Sequence, residues 1–260
     1  MTTVVITGSS RGLGYAMAKV FLQKNCNVTI CSRSQNQVQQ AVNTLSSHGK
    51  TVLGVSCDVR HRDDIENVWR RSVDRWGAID IWINNAGINQ QGHALHDLSP
   101  QEVQSVLDTN LRGAIFGTQI ALSGMLQQGH GQIFNVEGFG SNDMQRKGLN
   151  LYGTTKRALT HFTTACAKET SDTPILIGLL SPGMMVTDFL KDPTGELRDG
   201  HNTKRIFNIL GDAPDTVARF LVTKILHNRH NGAHIIWLTK RKALWRFARS
   251  AFVKRDLFTD

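Results

Sequence analysis

Long apolar runs are missing from these 260 residues, so the sequence offers no segment suited to a membrane-spanning helix. Cysteine is scarce as well. Cys26, Cys31, Cys57 and Cys166 are scattered without metal-ligand spacing, the usage of small buried hydrophobes in a reduced compartment. The ten histidines include no His-Glu-x-x-His cluster, and no metal site is expected. Met1-Thr2-Thr3 leads straight into the strand-like run Val4-Val5-Ile6, which predicts a chain with no signal or transit peptide and a cytoplasmic location. Acidic residues are also under-represented, with 21 against 30 Lys and Arg, giving a net charge of +9. Such a balance raises affinity for nucleic acid, anionic membrane surfaces or acidic small molecules without choosing among them. A nucleic-acid role rests on charge alone and is not expected.

Much of the positive charge falls late, in Lys240-Arg241-Lys242, Arg246, Arg249, Lys254 and Arg255. The plainest expectation for residues 241–260 is a solvated basic tail. Leu244, Phe247, Ala248, Ala251 and Phe252 nevertheless share one helical face, the pattern of a peripheral membrane helix or of a cover over a subunit contact.

The 40% hydrophobic content suits one large α/β domain over residues 1–260. Val4-Val5-Ile6 breaks at Thr7-Gly8-Ser9-Ser10-Arg11-Gly12-Leu13-Gly14, and an apolar-periodic helix through Met17, Val20 and Phe21 follows. Strand, glycine turn and helix form the context of a dinucleotide fingerprint. Glycines admit the pyrophosphate, and the helix N-terminus offers free amides. The second strand, Asn27–Cys31, ends at Ser32-Arg33, where a NAD-binding fold usually presents a carboxylate to the ribose. With no anion there, and with Arg11 and Arg33 available to pair a 2′-phosphate, NADPH is favoured.

Strands are further predicted at 51–55, 79–83, 132–136, 175–180 and 233–238, with helices at 63–76, 98–128, 152–170 and 215–227. The third strand leads to Asp58-Val59, placed to meet the adenine, and the fourth to Asn84-Asn85-Ala86-Gly87, small residues suited to packing on the cofactor. Strands alternating with helices over the whole length predict a doubly wound parallel sheet. Residues 188–212 are polar and poorly periodic, the composition of a lid. Tyr152 and Lys156 share one helix face. A free tyrosine ionises near pH ~10, and a neighbouring ammonium favours the phenolate, so the pair suits proton donation.

Taken in chain order, Thr7-Gly8-x-x-x-Gly12-x-Gly14, Asn84-Asn85-Ala86-Gly87, Asn110, Tyr152-x-x-x-Lys156 and Pro182-Gly183 resemble the short-chain dehydrogenase/reductase family over roughly the first 190 residues. The resemblance implies a Rossmann fold and hydride transfer between NAD(P)(H) and a carbonyl or alcohol, commonly in a homo-oligomer. It makes Tyr152 the proton donor. Lys156 would lower the tyrosine's pKa and hold the nicotinamide ribose, Asn110 would hold a relay water, and Thr187 would lie near the carboxamide. The family usually has Ser-Ser after the fifth strand; here Glu137-Gly138 stands there and Ser141 is the nearest hydroxyl.

That departure is similar to a narrower group. Ile133 to Ser141, Tyr152 to Arg157, Leu180 to Met184, Phe207 to Leu210 and Pro214 to Ala218 look like stretches of chlorophyll(ide) b reductases. This resemblance gives Ser141 the role of the catalytic hydroxyl. It implies NADPH-dependent reduction of a formyl group on a large lipophilic pigment. Phe139, Met144, Met184, Met185, Phe189, Phe207 and Leu210 suit either an apolar wall for such a flat macrocycle or ordinary core. A reductase of another lipophilic or small aldehyde or ketone and a cofactor-binding regulator without turnover remain as other readings.

Overall fold

The computed structural model describes residues 1–46, 51–90, 93–185, 200–253 and 255–258. Seven strands form one parallel sheet: β1 (Thr3–Thr7), β2 (Asn27–Ser32), β3 (Val52–Ser56), β4 (Ile81–Asn84), β5 (Gly131–Val136), β6 (Ile175–Ser181) and β7 (His234–Ile236). Their order, β3-β2-β1-β4-β5-β6-β7, is that of a doubly wound sheet. It reverses between β1 and β4, which pair in parallel from Val4 opposite Ile81 to Ile6 opposite Ile83. Ligands of such sheets bind outside the carboxyl ends of the strands at this reversal. The turn after β1 and the Asn84-Asn85 end of β4 both lie there.

Strand alternation divides the core. Val4 and Ile6 of β1 face one side, with Met17 and Phe21 of α1 (Gly12–Gln23), Leu45 of α2 (Gln35–Ser46) and Leu221 of α8 (Pro214–Leu226). Val5 faces the other, with Ile65 of α3 (Arg62–Trp76), Met125 of α5 (Gly113–Gln128) and Ala167 of α6 (Asn150–Glu169). Covering both faces with helices is what an all-parallel sheet requires.

The single helix expected over 98–128 is divided. Ser99 caps α4 (Pro100–Leu107) by a reciprocal box with Glu102. A wide π turn, Asp108–Arg112, then precedes α5 and carries Asn110. Such single-turn widenings often occur at functional sites.

After residue 185 the described chain resumes at α7 (Gly200–Leu210), and its last helix is α9 (Lys240–Ser250). Of the lid expected at 188–212, residues 188–199 lie outside the described residues, as do Thr187 and Phe189; the remainder is largely α7. The tail is not simply a solvated chain. The Arg246 side chain is 11% exposed and its Nη1 lies 2.7 Å from Asp212 Oδ2. Arg255 and Trp237 also bond the Asp212 carboxylate, tying α9 and the chain beyond it to the end of α7. No helix among the described residues is long and apolar enough to cross a membrane.

Candidate active site

Four segments converge beside β1 and β4. The first is the glycine turn. Gly8 has φ +61°, and a Cβ there would lie 2.7 Å from Ala86 Cα. On Gly14 it would lie 2.6 Å from Asn85 Nδ2 and 2.7 Å from the Gly8 carbonyl. Asn85 locks the same turn: its Nδ2 donates to the Thr7 and Gly8 carbonyls at 2.9 and 3.0 Å, and Thr7 Oγ1 accepts from the Asn85 and Ala86 amides. Asn85 therefore acts here as a strut of the cofactor turn. Ser10 and exposed Arg11 stand at the mouth of α1, and Leu13 is buried behind them.

At the end of β2, Ser32 Oγ is buried without a hydrogen-bond partner, while Arg33 beside it is exposed. An orphan hydroxyl is costly unless something else satisfies it. Its place, one strand from the glycine turn, fits a dinucleotide ribose. The expected adenine role of Asp58 meets competition. Arg60 occupies both carboxylate oxygens, at 2.6–3.1 Å. Burial raises the Asp58 pKa, but these bonds outweigh it and hold the carboxyl below its ordinary range. Val59 packs on Gly113, where a Cβ would lie 2.8 Å from Val59 Cγ2.

The second segment follows β4. A Cβ on Gly87 would lie 3.4 Å from Asn110 Oδ1 and 3.7 Å from Lys156 Nζ, so this glycine sits between the two polar groups. Asn110 Oδ1 accepts from the Ile88 amide at 2.7 Å, and its Nδ2 donates to the Ile88 carbonyl at 2.8 Å and to Thr155 Oγ1 at 3.2 Å. Gln90, without a signal in the sequence, also belongs here. It is buried, accepts from the Tyr152 amide at 3.0 Å and donates to Asn150 Oδ1 at 3.1 Å, fixing the start of α6.

The third segment is α6 itself. Tyr152 and Lys156 are both buried, with Nζ 5.7 Å from the tyrosine ring centroid. Nζ donates to the Val136 carbonyl at 3.0 Å. Burial pulls the Lys156 pKa down to about 8, with Glu137 acting in the opposite direction. Burial also raises the Tyr152 phenol above its ordinary range. Burial alone sets this direction, so the lowering by Lys156 expected from the sequence is not seen, and Tyr152 stays protonated at neutral pH.

The fourth segment is the loop after β5. A Cβ on Gly138 would collide with the Tyr152 hydroxyl. Gly140, at φ +93°, lies on the backbone of α6, where its Cβ would approach Gly153 Cα to 2.5 Å. Arg157 donates to the Ser141 carbonyl at 2.9 Å and pairs with Asp143 at 3.2 Å. The main chain of Ser141 is thereby pinned to the Gly153–Arg157 row of α6, next to the row of Tyr152 and Lys156. Ser141 is buried, at 9% exposure. Of the expected apolar wall, Phe207 is buried whereas Met144 points outward at 58% exposure.

Pro182 is buried beyond β6. Gly183, at φ +72°, has a conformation and a close approach to Leu238 Cβ that a larger residue would not tolerate. Among the described residues no group of His, Cys, Asp and Glu comes together as a metal site.

This combination of glycine turn, reversal of strand order between β1 and β4 and buried Tyr-Lys pair defines an oxidoreductase of the nucleotide-binding parallel-sheet class. Residues 2–196 match the short chain dehydrogenase family, and the chain belongs to it; that family uses NAD(P)(H). It is 35% identical over 276 residues to the "Probable chlorophyll(ide) b reductase NYC1, chloroplastic" of Oryza sativa subsp. japonica, covering 99% of this chain and 53% of that protein. To the "Chlorophyll(ide) b reductase NOL, chloroplastic" of the same plant it is 36% identical over 267 residues, covering 97% of this chain and 76% of that protein. The chain thus spans about half the length of the first relative. The crystal structure of a short-chain type dehydrogenase/reductase from Mycobacterium marinum shares the fold, with TM-score 0.81 at 24% identity over 90% of this chain and 93% of that one.

Proposed function

We propose that the chain is an NADPH-dependent reductase of chlorophyll(ide) b, converting the 7-formyl group to 7-hydroxymethyl. The observation that carries this reading is extent. Similarity to the two Oryza sativa chlorophyll(ide) b reductases covers 97–99% of the chain, past residue 196 where the family match ends. It therefore takes in α7, Asp212 and α9, which lie beyond the family match.

When bound, the reduced nicotinamide supplies the hydride. Tyr152 gives its proton to the carbonyl oxygen, and Ser141 donates a hydrogen bond to the same oxygen. Lys156 holds the ribose and offsets the charge developing on the oxygen. Asn110 orders the Gly87-Ile88 strand end and the relay water beside Lys156. Ser32 and Arg33 take the 2′-phosphate, in line with the orphan Ser32 hydroxyl.

The working form is a homo-oligomer with peripheral contact to an anionic membrane. Supporting that contact, α9 carries Lys240, Arg241, Lys242 and Arg249 besides the paired Arg246, and no acid, while Leu244, Trp245 and Phe247 are each at least half exposed. Liposome sedimentation of L244Q/F247Q against wild type tests it; equal binding to phosphatidylglycerol vesicles sinks the membrane reading.

The decisive assay is NADPH oxidation with chlorophyllide b in detergent, beside Tyr152→Phe. Turnover that disappears in the variant supports both the reaction and the proton donor. Reduction of simple aldehydes alone removes the pigment assignment.

A further inference from the structure

Glu137 occupies the first position beyond β5, where the family usually carries serine, and the family role of that position gives no account of an acid there. Its side chain is 2% exposed. Carboxylates are almost never buried so deeply unless paired. Its partners come from three elements. Oε2 faces His234 Nε2 of β7 at 2.7 Å, Oε1 accepts from Thr160 Oγ1 of α6 at 2.7 Å, and Ser181 at the end of β6 adds a hydrogen bond. The Glu137 amide donates to the Leu180 carbonyl at 2.8 Å, so the main chain is fixed as well.

Lys156 lies one turn before Thr160 on the same helix row. Its side chain runs along residues 136–138. Nζ donates to the carbonyl of the peptide joining Val136 to Glu137, and a Cβ on Gly138 would lie 3.3 Å from Lys156 Cε.

We infer that Glu137 is a positioning residue of this site: clamped by His234, Thr160 and Ser181, it supplies the fixed negative charge that keeps the buried Lys156 ammonium protonated. The inference rests on the reading of Tyr152 and Lys156 as the proton-donating pair. A buried ammonium facing only neutral groups gives up its proton readily. The titratable groups around the pair are Tyr152 on α6 and His234 on β7, whereas Asn110, Thr155, Thr160 and Ser181 are polar and neutral. Burial raises the carboxyl of Glu137, but hydrogen bonds from His234, Thr160 and Ser181 outweigh it and hold the group below the ordinary carboxylate range. It is charged at neutral pH. His234 is 43% exposed, so the clamp reaches the surface while Glu137 stays dry.

The test follows Lys156 directly, by NMR titration of the full chain labelled with ¹³Cε-lysine and assigned with K156R. Glu137→Gln is expected to lower the Lys156 midpoint by about one unit, a tenfold change in its protonation equilibrium. Glu137→Asp, which keeps the charge, should leave the midpoint near wild type. If the glutamine variant does not fold, Glu137→Ser poses the same neutral test. In turnover with NADPH and any carbonyl the wild type reduces, the alkaline limb of kcat/KM should move down with the midpoint. An unmoved midpoint in a folded neutral variant overturns the inference and makes Glu137–His234 a structural tie. If wild type reduces no carbonyl, the proposed reaction falls, while the lysine titration still decides the role of Glu137.

Discussion

The Cα of Gly138 rests so closely against the Tyr152 hydroxyl that any side chain at 138 would overlap the oxygen. The place where relatives usually carry a serine is thus closed in this chain, and the next hydroxyl along the sequence is Ser141, three residues on. Restoring the usual residue should therefore harm the site. Gly138→Ser is expected to push Tyr152 off line and lower kcat/KM by about 100-fold, the effect of an ångström-scale misplacement. Ser141→Ala should lower kcat by about 10²–10³, the loss of one donor to the developing oxyanion. Steady-state kinetics of both variants, with circular dichroism to confirm folding, checks the pair. Activity gained by Gly138→Ser would show that Ser141 is not the substituting hydroxyl.

The pH profile follows from Lys156. Burial pulls its pKa to about 8, so the ammonium is held below pH 8 and lost above it. Tyr152 is raised above its ordinary range and keeps its proton across the same interval. We expect log kcat/KM to be level near neutrality and to fall with unit slope above pH 8; an alkaline limb beginning only above pH 10 contradicts this. The stability effect of Lys156 has the opposite sense. Between about 8 and its ordinary 10.5 the unfolded chain binds more protons, so this group makes folding more favourable as pH rises.

What the sequence revealed and what it hid divide along a physical line. β-branched runs such as Val4-Val5-Ile6 marked strands, and Gly8, Gly12 and Gly14 marked the turn, because local patterning fixes both. The helix α2 had no such mark. Its twelve residues include only three buried apolar side chains among glutamines and asparagines, a pattern too sparse to predict a helix. Asn110 stands out in the sequence but its π turn does not, because one added backbone residue in a single turn leaves no mark on a helix-like pattern. Pairings across the fold were out of reach. His234 lies 97 residues from Glu137 and Gln90 62 residues from Tyr152, and nothing in either neighbourhood points to the other. Arg246 read as tail charge because its partner Asp212 comes from another element.

Cofactor choice turns on Ser32 and Arg33. Ser32 Oγ lacks a partner, and exposed Arg33 follows it. Ser32→Asp places an anion where a 2′-phosphate would approach and accepts from ribose hydroxyls instead. It should weaken NADPH and strengthen NADH. Arg33→Ala should weaken NADPH by about 10- to 100-fold, corresponding to one charge-assisted hydrogen bond of about 1.5–3 kcal/mol, and leave NADH little changed. Fluorescence titration with both nucleotides measures this. Equal losses for the two would remove the NADPH assignment.

Asp212 ties the C-terminal segment to the chain that follows β6. Its carboxylate is 7% exposed and takes Arg246, Arg255 and the Trp237 indole, while its amide bonds the Met184 carbonyl at 3.0 Å. Removing one partner of a buried ion pair leaves the other charge uncompensated, at a cost of about 3–5 kcal/mol. Asp212→Asn should therefore lower the urea midpoint and expose residues 240–258 to proteolysis before the sheet unfolds. Acid should do the same to wild type. Burial raises the Asp212 pKa, yet its bonds to Arg246 and Trp237 outweigh that and hold it below 3.8. The stabilisation is present above pH 3.8 and is lost as pH falls through the depressed value. Limited proteolysis from pH 6 down to 3 should show the tail of wild type protected until the lowest values and that of Asp212→Asn cleaved throughout. A tail equally resistant in both would mean that α9 is held by its apolar contacts rather than by Asp212.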